Sequence, residues 1–506
     1  MVRAMSSAKD PAQWLDDAAR RSPQRPFLRT PEGRELSYAG LRDQTARFAT
    51  ALTARGVLPG DRVAAQVDKS VDAVLLYLGC LNLGAVFVPI NVANTENEVD
   101  YFLRDCAPRL VVVRPCSRAL LEPVAMSAQI SHVETLGPDG EGSLPELVSR
   151  SDGQARFGPR GGADSVAAIV YTSGTTGRAK GAMLTRANLA SNAEALAEVW
   201  HFTENDVLLH TLPLFHVHGL FAAINTVLAS RSSLLLLPKF DAASVLTHLP
   251  AATVYMGVPT HYTRLLQETR LDRAAAAGMR VFISGSAPLP AGTHREFSER
   301  TGHRIIERYG MTETLMNSAN PYDGARVPGS VGPALPGVWI RVAKAADGVD
   351  GLEIKGPNVF AGYWGDAEKT RAGFTPDGWF KTGDVGRIGE DGYVYIIGRA
   401  KDLVISGGYN VYPREVETEL DALTGVVESA VFGVPHPDFG EGVTAAVVRE
   451  PGASVSEADI IRAVRTRLAG YKIPKRILFL DDLPRNAMGK VQKNALRSAY
   501  AALYSS

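Results

Sequence analysis

The most constraining feature of this chain is an alternation of strand-sized apolar runs with helical patterns. Residues 62–66 read as a strand, 70–83 as a helix, 85–89 as a strand, 96–105 as a helix and 110–113 as a strand. The rhythm returns at 207–212, 234–237, 253–257 and 281–284, with helical stretches between. Strands that read apolar throughout are buried on both faces, and parallel strands need crossover helices to join them. The pattern therefore predicts an α/β architecture of helix-covered parallel sheets. A short helix is expected at 12–20 and a helical stretch at 274–277.

At 506 residues the chain is too long for one core, so at least two domains are expected. The texture changes after about residue 325, where short strands separated by Gly/Asp/Pro turns at 346–348, 375–378 and 389–392 predict a small β region. After Gly398-Arg399-Ala400-Lys401-Asp402, runs at 429–434 and 442–449 open a small α+β domain. The expected division is 1–400 and 401–506, with a compact hinge near Lys401 rather than a tether.

Lys+Arg and Asp+Glu are 54 each, so no global field directs the protein to nucleic acid or anionic membrane. Cys80, Cys106 and Cys116 are odd in number and lack Cys-x-x-Cys spacing, which favours a reducing compartment over disulfides or zinc. No apolar run reaches the ~18 residues of a membrane span, and residues 1–20 have no apolar secretory core. A cytoplasmic location is expected. The sequence assigns no oligomeric state.

Chemistry concentrates in a few segments. The apolar run 166–170 is followed by Thr172-Ser173-Gly174-Thr175-Thr176-Gly177-Arg178-Ala179-Lys180-Gly181. Glycines let such a loop turn tightly, so backbone N–H groups, hydroxyls and the two cations can surround a polyphosphate. It lacks the Gly-Lys-Ser/Thr of a Walker A loop. Arg308-Tyr309-Gly310-Met311-Thr312-Glu313-Thr314 follows Ile305-Ile306 and is expected to leave a strand's carboxyl end, where ligands of open sheets gather. Tyr309 suits base stacking, Thr312 a phosphate, and Glu313 Mg²⁺. Asp384, expected at a strand end, suits the two hydroxyls of a ribose, and Arg399 lies within reach of the same group. Pro484-Arg485-Asn486-Ala487-Met488-Gly489-Lys490 carries a lysine that acts only if its domain brings it to the phosphates.

In order and spacing these segments resemble the acyl-adenylate-forming superfamily of acyl-CoA synthetases, luciferases and peptide-synthetase adenylation domains. The likeness runs over roughly residues 12–498 and includes Gly285-Ser286-Ala287-Pro288-Leu289, Gly362-Tyr363-Trp364, Gly378-Trp379-Phe380 and Gly407-Gly408-Tyr409-Asn410. It implies ATP and coenzyme A as co-substrates, Mg²⁺ as metal, and small molecules rather than macromolecules as partners. By the same resemblance Thr172, Ser173, Thr175, Thr176 and Lys180 hold the β- and γ-phosphates. Ser286, Ala287, Pro288, Glu307 and Tyr309 line the adenine side. Thr312 meets the α-phosphate, Glu313 coordinates Mg²⁺, Asp384 and Arg399 grip the ribose, and Lys490 bridges carboxylate and α-phosphate. The small domain is implied to rotate about Lys401 between half-reactions, carrying the Gly407-Gly408 loop toward the thiol. Acylation of Lys490 would silence adenylation.

The acid is expected between 212–220 and 257–266, with His218 beside it. Arg264, one turn into a helix expected to be capped by Thr260, would be costly in an apolar pocket without an anion. Residues 308–317, Asn320-Pro321-Tyr322-Asp323-Gly324 and the Lys490 segment look closely like malonyl-CoA synthetases. That resemblance implies that Arg264 and Ser286 contact a distal carboxylate, with malonate or methylmalonate as substrate. The alternatives are a CoA ligase for another small, fatty or aryl acid, and a free-standing adenylation enzyme loading a carrier protein. His216 after Phe215, where amino-acid adenylation enzymes place an Asp, weighs against the latter. A nucleotide-binding regulatory module is a third, and would need neither Lys490 nor a hinge.

Overall fold

The computed structural model describes residues 11–153, 161–172, 179–344, 350–486 and 489–504. A large N-terminal domain of helix-covered sheets with a small β region is followed by a smaller C-terminal α+β domain. An eight-stranded sheet runs Leu315–Ala319, Ile306–Met311, Val281–Ser284, Val254–Gly257, Val207–His210, Ser233–Leu236, Pro26–Arg29 and Glu35–Ser37. Its interior pairings are parallel and its two outermost pairs antiparallel. A seven-stranded sheet contains Arg62–Gln66, Val86–Pro89 and Leu110–Val113 in parallel, with Val166–Thr172 and Lys180–Thr185 as an antiparallel pair.

The central strands are buried throughout because helices cover both faces. The helix Val71–Leu83 is buried on all sides, so it shows no amphipathic stripe, and Ser70 caps it by accepting from the Ala73 N–H. A four-stranded antiparallel sheet, Trp339–Ala343, Gly351–Lys355, Phe380–Ile388 and Val394–Arg399, ends one residue before the turn Ala400–Asp402. The C-terminal sheet is antiparallel except for Arg476–Leu480, which pairs parallel with Gly440–Arg449. No helix among the described residues is long and apolar enough to cross a membrane.

Four local expectations are corrected. Residues 274–277 form turns rather than a helix, because Asp272 Oδ1 accepts the Ala275 N–H and Gly278 follows; four alanines do not outweigh nucleation. Thr260 is not a helix cap: Pro259 opens the helix Pro259–Gln267 one residue earlier with its preset φ, and Val258 is the extended residue before it. Tyr309-Gly310-Met311 does not leave a strand end but extends the strand, since Leu315–Ala319 folds back to pair with it. Asp384 lies inside Phe380–Ile388, directly opposite Arg399.

Candidate active site

The candidate residues converge where the strands of the eight-stranded sheet end and the small β region crosses them. Side chains alternate along Ile306–Met311, so Glu307 and Tyr309 share one face and Arg308 takes the other. The Tyr309 hydroxyl donates to Asp384 Oδ2 at 2.5 Å, and Arg399 Nε pairs with Asp384 Oδ1 at 2.9 Å. The Asp384 carboxylate is buried and held from two sides, and burial beside it raises the Tyr309 phenol well above its usual range. Glu307 accepts the Gly329 N–H at 2.9 Å through Oε1. Burial pushes its carboxyl up to about 7, against that hydrogen bond and the charge of Arg414 from the C-terminal domain.

Glu313 lies in the turn between the two hairpin strands. It is buried, accepts from the Tyr363 hydroxyl at 3.1 Å, and burial raises its pKa. Lys180 Nζ stands 5.1 Å from the centre of the same Tyr363 ring. Thr172 and Lys180 face each other across the antiparallel pair, so the two ends of the hydroxyl-rich loop are brought together beside Glu313. Ser173, Thr175 and Thr176 lie outside the described residues. Thr312 is half-buried in the Glu313 turn. The carboxylate suits Mg²⁺, which keeps waters and phosphate oxygens and needs only one or two protein carboxylates.

Ser286, Ala287 and Pro288 follow Val281–Ser284. Ser286 holds φ +73°, a left-handed conformation unusual outside glycine, with its Oγ 3.3 Å from His218 Nδ1. His218 opens a π-helical segment, His218–Asn225, and is fully buried; its Nε2 has no hydrogen-bond partner among the described residues. Burial and the charge of Arg308 hold this imidazole neutral.

Arg308 is the residue that the sequence reading left without a role. It is 4% exposed, and its Nε and Nη2 have no hydrogen-bond partner among the described residues. Burial pushes the guanidinium down to about 9. It lies across Gly285, where an added Cβ would fall 2.4 Å from Arg308 Cζ, so only glycine permits this placement. The available signal was an arginine in a strand whose flanking apolar residues mark it as central. Arg264, in contrast, is exposed on the helix Pro259–Gln267, and its charge lowers the His261 imidazole after burial does.

Lys490 reaches this region from the C-terminal domain. Gly489, at φ +71°, packs so closely on the helix Pro259–Gln267 that a Cβ would meet Thr260 Oγ1 at 2.7 Å. The Lys490 residue is exposed to solvent, while desolvation of its amine by the surrounding protein, then the charge of Arg399, pushes it down to about 8. His216 feels the charges of both Arg308 and Lys490, and with burial they push it down to about 4. His216 thus lies within the electrostatic reach of two cations, Arg308 and Lys490, and the Asp384–Arg399–Tyr309 cluster supplies the carboxylate of the site.

Known proteins share this plan. The family described as AMP-binding enzyme matches residues 15–364, and the AMP-binding enzyme C-terminal domain matches 415–490. Malonate–CoA ligase from Arabidopsis thaliana is 37% identical over 481 residues, 88% of this chain and 79% of that protein. Indoleacetate–CoA ligase from Aromatoleum aromaticum is 34% identical over 508 residues, 97% of this chain and 98% of that protein. The crystal structure of ATP-bound MatB from Rhodopseudomonas palustris is 52% identical, with a TM-score of 0.94 over 98% of this chain and 100% of that one. The chain belongs to the AMP-binding enzyme family and is an AMP-forming acyl-CoA ligase.

Proposed function

We propose that the enzyme is a malonate–CoA ligase, joining malonate and CoA at the expense of ATP and releasing AMP and pyrophosphate. The observation that carries this reading is the buried Arg308 guanidinium, whose Nε and Nη2 have no hydrogen-bond partner among the described residues. A desolvated, unpaired cation is expensive, and a ligand anion removes the cost. His216 feels the charges of both Arg308 and Lys490, so the two cations serve one neighbourhood. A substrate with a carboxylate at each end answers both charges; a monocarboxylate answers one. Arg264 at the rim and Ser286 beside His218 complete the distal end in this reading.

The first half-reaction is attack of the proximal carboxylate on the α-phosphorus of ATP. Lys490 brings the two anions together and stabilises charge on the α-phosphoryl oxygens, with Thr312 donating there. Thr172, Ser173, Thr175, Thr176 and Lys180 hold the departing pyrophosphate. Mg²⁺ would be held by Glu313 together with phosphate oxygens, and supplies charge neutralisation. Asp384 and Arg399 hold the ribose, while Glu307, Tyr309, Ala287 and Pro288 flank the adenine. In the second half-reaction the CoA thiol displaces AMP from the malonyl-adenylate, after the domain beginning at residue 401 turns about Lys401. His218, kept neutral, borders the acyl group.

Pyrophosphate release measured across acetate, malonate, methylmalonate, octanoate, benzoate and mixed amino acids tests the reading. Malonate is expected to give the highest kcat/KM, with methylmalonate the nearest competitor. A higher value for octanoate, benzoate or an amino acid would overturn it.

A further inference from the structure

The residues flanking Lys490 form a hairpin tied by backbone bonds and by the side chains of Asn486 and Arg485, and Arg485 also ties it to the sheet of the domain. Arg485 and Val491 form a bridge, the Asn486 N–H donates to Lys490 O at 2.9 Å, and the Lys490 N–H donates to Asn486 Oδ1 at 3.0 Å. Arg485 reaches along this hairpin and donates from Nη1 to Gly489 O at 2.8 Å. Its Nη2 donates to Glu428 Oε2 on the strand Val426–His436, which pairs along its length with Gly440–Arg449 in the C-terminal sheet. The side chains of Arg485 and Glu428 are only 19% and 26% exposed. One guanidinium therefore connects the carbonyl preceding Lys490 to the sheet of its domain. Gly489 is also the residue that touches Thr260 across the domain interface.

We infer that Arg485, anchored by Glu428, is a positioning residue for adenylation: it fixes the hairpin so that Lys490 meets the carboxylate and the α-phosphate. This rests on the role given to Lys490 under Proposed function. Arg485 touches no reacting atom in this scheme and acts only through the Gly489 carbonyl. A freed hairpin moves the Lys490 amine, and a displacement of about 1 Å at a reacting centre costs on the order of 10²-fold in rate. The thiol-transfer half-reaction, for which Lys490 has withdrawn, does not use that position.

The test measures both half-reactions in the full-length chain carrying Arg485→Ala, Arg485→Lys or Glu428→Gln. It uses whichever acid the wild type turns over fastest. A failure of the malonate reading then appears in the wild-type profile, and a failure of this inference only in the variants. Arg485→Ala is expected to lower the kcat of pyrophosphate release by about 10–100-fold with little change in KM. Thioester formation from supplied acyl-adenylate should stay within about twofold. Arg485→Lys, able to meet one of the two oxygens, recovers part of the loss. Glu428→Gln preserves shape and removes the anchoring charge, so it carries the test if Arg485→Ala fails to fold. Equal losses in both half-reactions, or no loss of adenylation, would overturn the inference.

Discussion

Replacing Arg308 with Met should make the ligand-free protein more stable and the enzyme nearly inactive on malonate. The two effects have one cause. The guanidinium is 4% exposed, its Nε and Nη2 have no hydrogen-bond partner among the described residues, and burial pushes it down to about 9. A difference of that size corresponds to roughly 3–5 kcal/mol between charged and neutral forms, at 1.36 kcal/mol per unit. Because the folded-state pKa of this base is lowered, the penalty is full below about 9 and fades only as pH rises from there toward the ordinary guanidinium range. From pH 6 to 8.5 the gain from Arg308→Met should therefore be nearly independent of pH. Methionine roughly matches the length of the aliphatic stem and leaves no charge to desolvate. After packing losses of about 1–2 kcal/mol, a net stabilisation of a few kcal/mol is expected.

The functional effect has the opposite sign. A charge-assisted, bidentate contact to a distal carboxylate, lost with that carboxylate left buried, is worth about 3–5 kcal/mol, or 10²–10⁴-fold in kcat/KM. Acetate, lacking the second carboxylate, should lose nothing and gain modestly. Thermal unfolding with and without malonate, alongside pyrophosphate release on malonate and acetate, measures every term. Malonate should raise the melting temperature of the wild type and not of the variant. An Arg308→Met protein destabilised by several kcal/mol, with malonate turnover intact, would refute the reasoning: the guanidinium would then have an unrecognised protein partner.

Three further outcomes are expected. Lys490→Ala should cut adenylation by ~10²-fold or more while sparing thioester formation from supplied malonyl-adenylate, a split measurable by assaying the half-reactions separately. Lys490 is held near 8 in the free enzyme, so kcat/KM for malonate should fall as pH rises through about 8; the bound anions favour the charged amine, so the limb in kcat should lie higher. Glu307→Gln should stabilise the protein at pH 8 by up to about 3 kcal/mol and little at pH 4.5, because burial raises this carboxyl to about 7 and its ionisation in the fold is the cost removed; thermal unfolding at the two pH values checks the sign.

Much of the architecture was legible in the sequence, because a parallel strand buried on both faces has to be apolar. Arg62–Gln66, Leu110–Val113 and Val281–Ser284 occupy the residues that the pattern marked. The misreadings occur where long-range pairing decides. Nothing local in Tyr309-Gly310-Met311 announces that Leu315–Ala319 will fold back on it and keep it extended. Asp384 reads as the end of a strand after Gly383, yet its cross-strand partner Arg399 keeps it inside the strand Phe380–Ile388. At the site, Glu313, Asp384, Arg399 and Tyr309 were visible because their motifs are contiguous. Arg308 belongs to the same motif and was passed over, because its importance lies in what is missing around it. A partner that is absent leaves no trace in a sequence; it appears only when every neighbour has been placed.

That asymmetry also locates the substrate decision. The proposed nucleotide corner is satisfied from within: Asp384 has Arg399 and Tyr309, Glu307 has the Gly329 N–H, and Glu313 has Tyr363. Such a corner suits a ligand common to a whole family. The proposed acyl end is not satisfied: among the described residues Arg308 Nε and Nη2 lack a hydrogen-bond partner, and so does His218 Nε2. Specificity against a monocarboxylate then needs no steric exclusion. Acetate would fit, but would leave a desolvated guanidinium uncompensated, and a site built around a polar group rejects the analogue lacking its partner by orders of magnitude. Discrimination between malonate and methylmalonate has no such lever. One methyl in a pocket is worth only about 1–3 kcal/mol, so the two acids should differ modestly in rate, whereas both should stand far above acetate.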